Sequence, residues 1–74
     1  MKTIFLIETD PINKMYFKDV HCGFINVSNS IEHSRQFKTY DNAQKILNDI
    51  VLNDYTSEKI LYLSIVKFTV KNNA

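Results

Sequence analysis

The side chains best suited to moving protons or holding a metal gather around two short stretches of this sequence. His21 and Cys22 are neighbours with Asp19 just before them, and Glu32, His33 and Arg35 follow further along. Two imidazoles and two carboxylates have the right types for general acid–base work, since imidazole titrates near neutrality. Their spacing argues against it. Zinc sites set paired ligands at close, regular intervals, whereas adjacent residues in a strand point to opposite faces, so His21 and Cys22 cannot chelate together. His33 in a polar turn completes no ligand set. No Gly-rich phosphate loop and no Gly-x-Ser-x-Gly elbow occurs in the chain. The expectation is therefore no catalytic, metal or cofactor-binding residue: a small buried Cys22, two surface histidines and a solvated connection around Glu32, His33 and Arg35.

A second constellation is aromatic and basic. Tyr16, Tyr62 and Phe68 beside Lys14, Lys18, Lys67 and Lys71 would make a stacking platform with phosphate contacts if they shared a bare sheet face. Asp10, Asp19, Asp54 and Glu58 dilute that charge. Nine Lys and Arg against eight Asp and Glu leave a net charge of +1, so no global field draws in nucleic acid or an anionic membrane.

The elements that would position these groups are legible. A chain of 74 residues supports one domain, spanning 1–74, with a thin core; at this size only about 60% of the unfolded surface is buried on folding. One Cys excludes an intrachain disulfide framework. Thr3 to Glu8 is apolar on both faces and reads as a central strand. The apolar run after Met1 is too short for a signal peptide, which needs roughly 7–15 residues there; a cytoplasmic setting is expected. Thr9 to Lys14 carries turn chemistry, with Asn13 suited to a left-handed position, and Met15–Val20 closes a hairpin. Gly23, the one glycine, serves either the left-handed position of a three-residue loop, His21-Cys22-Gly23, leading into a third strand Phe24–Val27, or a bulge in one long strand from Met15 to Ser28; the turn is favoured. Ala43, Ile46, Leu47, Ile50 and Val51 fall at i, i+3, i+4, i+7 and i+8, with Tyr40 one turn earlier and Thr39 as N-cap. Asn53 suits the C-terminal cap, and a last strand runs from Lys59 to Lys71. The pattern predicts an α+β fold, β-β-(β)-α-β: a small, mainly antiparallel sheet of three or four strands with one amphipathic helix on one face.

One helix covers one sheet face, yet the first and last strands are apolar on both. Ile4, Leu6, Leu61, Leu63 and Ile65, or the opposite set, would then lie uncovered and form an interface, the simplest being a homodimer.

The run Arg35-Gln36-Phe37-Lys38-Thr39-Tyr40-Asp41-Asn42-Ala43, between the Tyr16-Phe17-Lys18 strand and the closing Ser64–Phe68 strand, resembles many tiny phage-encoded proteins. In those a hairpin precedes a Phe-x-Thr/Ser-x-x-x-Ala helix entry. Here Phe37 would plug the core, Thr39 cap, and Ala43 allow close approach of helix to sheet. Such proteins are often stoichiometric binders of host enzymes or defence systems. The resemblance thus implies a non-enzymatic cytoplasmic protein that binds and inhibits or modulates a host or defence-system protein, without membrane or cofactor. A nucleic-acid-binding module and an assembly component are the alternatives. The candidate partner-binding residues are His21, Cys22, Asn29, Glu32, His33, Arg35, Tyr62 and Lys67.

Overall fold

The computed structural model describes residues 1–52 and 63–70. Strands β1 (Lys2–Asp10), β2 (Met15–His21) and β3 (Phe24–Ser28) precede helix α1 (Tyr40–Leu52), and β4 (Ser64–Val70) closes the sheet. The strand order is β3-β2-β1-β4, every neighbour antiparallel. The α+β architecture is the one read from the sequence, with four strands. The expected helix cap at Asn53, and the Lys59–Tyr62 part of the last strand, lie outside the described residues.

β1 is central because it is apolar on both faces. Its register with β4, from Lys2 opposite Val70 to Glu8 opposite Ser64, sorts those side chains. Ile7 joins Phe17, Phe37, Ala43 and Ile50 in a core under the helix, with Phe5, Leu63 and Ile65 packed against it. Ile4, Leu6 and Tyr16 form a second core on the other face, with Ile31, Val66, Phe68 and Val70 against it. Ile4 and Leu6 are 1% and 0% exposed, so the bare sheet face expected from surplus apolar surface does not exist there. Ile31, from the connection after β3, packs against this second face together with Val66 and Phe68, which lie opposite Leu6 and Ile4, while Leu63 and Ile65 share the helix side with Ile7.

β1 and β2 pair only where the hairpin begins, Glu8 with Tyr16 and Asp10 with Met15. Beyond that point the segment before α1 takes β2's place. Phe5 and Phe37 exchange two backbone hydrogen bonds, 2.8 and 2.9 Å, and the Arg35 N–H donates to the Phe17 carbonyl at 3.0 Å. Phe37 is buried, as its place at the helix entry suggests.

Two turns refine the local expectations. The Asp10 carboxylate accepts hydrogen bonds from the Ile12 and Asn13 N–H groups (3.0 and 3.1 Å) and from Asn13 Nδ2 (2.8 Å). With Asn13 engaged as a donor, the left-handed position falls to Lys14, φ 55°. At the next turn Cys22 and Gly23 both have positive φ, 52° and 80°, and His21 pairs with Phe24. That is a two-residue hairpin loop, one residue shorter than expected because His21 joins the ladder, and its handedness matches strand twist. The irregularity of the β2–β3 ladder lies elsewhere, between Phe17 and Asp19, where Lys18 is the extra residue.

The Asn42 N–H donates to Thr39 Oγ1 at 3.2 Å, making Thr39 the N-cap. The helix buries Ala43 and Ile50, with Ile46 and Leu47 half-buried. Val51, expected on the same stripe, is 58% exposed, because the face in contact with the sheet is narrower than the apolar stripe.

Two expectations follow. Phe37→Ala should cost about 3–5 kcal/mol in a denaturant titration, while Ile12→Ala in the exposed turn should stay within about 0.5 kcal/mol. Asp10 is held below the usual carboxylate range by the Asn13 side chain first, and by the Asn13 and Ile12 backbone N–H groups. Its contribution is therefore present above the unfolded value of about 4 and lost as pH falls through the lower folded value. The urea midpoint of Asp10→Ala should fall below wild type at pH 7 and converge with it in acid.

Candidate functional site

Beyond Lys18 the second hairpin leaves the rest of the sheet and continues as a two-stranded ribbon. Val20 pairs with Ile25 and His21 with Phe24, and the Asp19 carboxylate accepts from Asn26 Nδ2 at 2.6 Å. Of its apolar side chains only Ile25 packs against the core. Val20 and Val27 are exposed, and Phe24, next to the turn, is 72% exposed. The tip thus combines an aromatic ring, His21 and a free thiol at Cys22, which is exposed rather than buried as expected. A two-residue loop leaves no slack to fold Cys22 inward. β3 is also an edge of the sheet, so its outer backbone groups face away from β2.

The connection after β3 is a second exposed element. Ser34 donates through its hydroxyl to the Ser30 carbonyl at 2.6 Å and through its N–H to the Ile31 carbonyl at 3.3 Å, closing a turn. Asn29, Glu32, His33 and Arg35 project from it, all exposed, while Ile31 anchors it to the second core. The structure does not bring these residues to the His21–Cys22 tip. Five strand residues separate the two, about 17 Å at roughly 3.3 Å each. The Asp19, His21, Glu32, His33 and Arg35 set is therefore split between two ends of β3, and no group of three or more metal-ligating side chains occurs among the described residues.

Among the described residues the basic–aromatic platform is not assembled either; Lys71, like Tyr62, is not one of them. Tyr16 is 6% exposed, and its ring meets Phe68 edge-on at 5.7 Å within the second core. Lys67 is exposed but stands opposite Phe5, on the face away from Phe68, because neighbours in a strand alternate.

A feature the sequence reading missed is a depression of about 310 Å³ between the 35–38 segment and the start of α1. It is lined by Arg35, Gln36, Phe37, Lys38, Asn42, Lys45 and Ile46. Residue type alone does not single out Lys38 or Lys45; the backbone bridge to β1 sets them around one hollow.

Among the described residues no helix is long and apolar enough to cross a membrane. No protein-family model, no curated protein and no solved structure matches the chain.

The hairpin geometry carries its own test. Gly23→Ala places a Cβ at φ 80° and should loosen the tip by about 1 kcal/mol, whereas Cys22→Asn, which gives the preferred Asn-Gly turn, should hold or strengthen it. Amide exchange of Val20, His21 and Phe24 reads both.

Proposed function

We propose that this chain is a non-enzymatic binding protein that engages another protein through its second hairpin and inhibits or modulates that partner. The observation that carries the reading is Phe24, a large aromatic held 72% exposed at the end of a tight two-residue turn. An exposed aromatic on a loose loop can fold back; on a short ribbon with both turn residues fixed at positive φ it stays in water until something covers it. Aromatic anchors entering a partner's pocket supply much of the affinity of protein interfaces. His21, which pairs with Phe24, shares its face of the ribbon, Cys22 borders it in the turn, and the edge of β3 can accept a partner strand.

The resemblance to small phage-encoded binders selects the class of partner: a host enzyme or a component of a defence system, met in the cytoplasm. Asn29, Glu32, His33 and Arg35 at the far end of β3 would form a polar rim rather than the centre of contact. Lys67 lies on the opposite edge strand and has no part in this surface.

Affinity capture of the tagged chain from host lysate, with and without nuclease, is expected to yield one near-stoichiometric, nuclease-resistant protein. Phe24→Ser should reduce its recovery at least about tenfold, a loss of roughly 1.4 kcal/mol, with thermal stability little changed because the side chain is already exposed. Recovery of nucleic acid alone, or equal recovery with Phe24→Ser, would contradict the reading; a sedimenting homodimer that Phe24→Ser dissociates would make the partner a second copy.

A further inference from the structure

We propose that the depression beside the start of α1 is a binding site for a small organic phosphate of the nucleotide class, apart from the Phe24 tip and sharing only Arg35 with the polar rim of that surface. Charge is the first argument. Arg35, Lys38 and Lys45 line one hollow, and among the described residues no Asp or Glu lines it. The whole chain carries only +1, so with these three cations set aside the remainder is net negative. Three like charges around a shared concavity repel one another, and an anion seated among them removes that repulsion.

The chemistry of the lining is the second argument. A guanidinium can grip phosphate with two parallel N–H donors, and ammonium groups add charge from other directions. The amides of Gln36 and Asn42 add neutral hydrogen-bonding groups. Asn42 and Lys45 stand in the first turns of α1, where the helix dipole also favours an anion. The interior is not purely polar, however. Phe37 and Ile46 line it too, and the Arg35 guanidinium lies 5.7 Å from the centre of the Phe37 ring. Inorganic phosphate would leave that apolar wall and most of the space unused. A volume of about 310 Å³ is at the lower end of small-molecule sites and has room for a flat ring or sugar beside the phosphoryl group.

Rigidity is the third. The backbone beneath the cations is pinned by Arg35 N–H to the Phe17 carbonyl, by the paired bonds between Phe37 and Phe5, and by the Thr39 cap. Gln36 Nε2 donates to the Ile31 carbonyl at 3.2 Å, which tethers its amide to the neighbouring turn. Little backbone ordering remains to be done on binding, which favours affinity. A solvated surface patch does not need a pinned backbone.

The test is an amide NMR titration of the full chain with 5′-AMP, ADP, inorganic phosphate, adenosine and a short single-stranded oligonucleotide. Saturable shifts confined to residues 35–46 are expected with AMP and ADP, with weaker binding of phosphate and none of adenosine. Arg35→Gln and Lys45→Gln, both exposed and conservative in shape, should each weaken AMP binding about tenfold with unchanged folding. Phe24→Ser should bind AMP like wild type, which separates this site from the hairpin reading. Saturation by the oligonucleotide at lower nucleotide concentration than AMP would identify the source as a strand. Absence of localised shifts with AMP and ADP at about 10 mM, equal affinity for AMP and inorganic phosphate, or wild-type binding by both variants would overturn the proposal.

Discussion

The two backbone hydrogen bonds between Phe5 and Phe37 set the plan of this molecule. Central strand β1 needs partners along both edges. β4 satisfies one across seven register pairs, but β2 satisfies the other only at Glu8 and Asp10. Phe37 meets that edge further along, in an isolated bridge at Phe5. By doing so it displaces the rest of β2, which bulges at Lys18 and continues as a ribbon with β3. The same contact brings the Phe37 ring into the core under α1 and stiffens the segment that carries Arg35 and Lys38. The projecting tip and the basic depression are thus two consequences of one pairing.

The pairing matters more because the core is small. Among the described residues four large apolar side chains are almost wholly buried, Ile4, Leu6, Ile7 and Ile50, and they are divided between the two sheet faces. Full burial of such a side chain contributes about 1.5–3 kcal/mol, so neither face alone has much to spare against chain entropy. The two faces support each other through β1, whose alternate residues serve one and then the other. Ile31 ties the connection after β3 to the second face, and Phe37 ties it to the first. An otherwise irregular stretch therefore stitches the two cores together.

Much of the fold was legible because it rests on side-chain pattern. The two-faced apolar run of β1, the i, i+3, i+4, i+7 spacing from Ala43 to Ile50, the Thr39 cap and the lone Gly23 each report a local physical requirement. What was hidden depends on backbone pairing and register, which leave little trace in residue types. Nothing about Phe37 as a residue announces that its peptide groups pair with Phe5. Without that bridge the detachment of the hairpin, the exposure of Cys22 and Phe24, and the gathering of Arg35, Lys38 and Lys45 could not be read. Register also explains why Tyr16 and Phe68, read as a stacking surface, meet each other inside the second core. At the first turn the competition was closer still: Asn13 and Lys14 were both available for the left-handed position, and the Asp10 carboxylate engaged Asn13.

The measurement that bears most directly on this arrangement is native-state hydrogen exchange of the Phe5 and Phe37 amides. If their mutual bonds hold the fold together, both should exchange only through global unfolding, with the slowest amides of β1, and with the same denaturant dependence. The amides of Val20, His21 and Phe24 in the ribbon should open well before them. Exchange of the Phe37 amide on the timescale of the ribbon, while β1 and β4 stay protected, would contradict the arrangement: the 35–38 segment would be a fraying loop, and neither the projection of the hairpin nor the rigidity of the basic depression could rest on it.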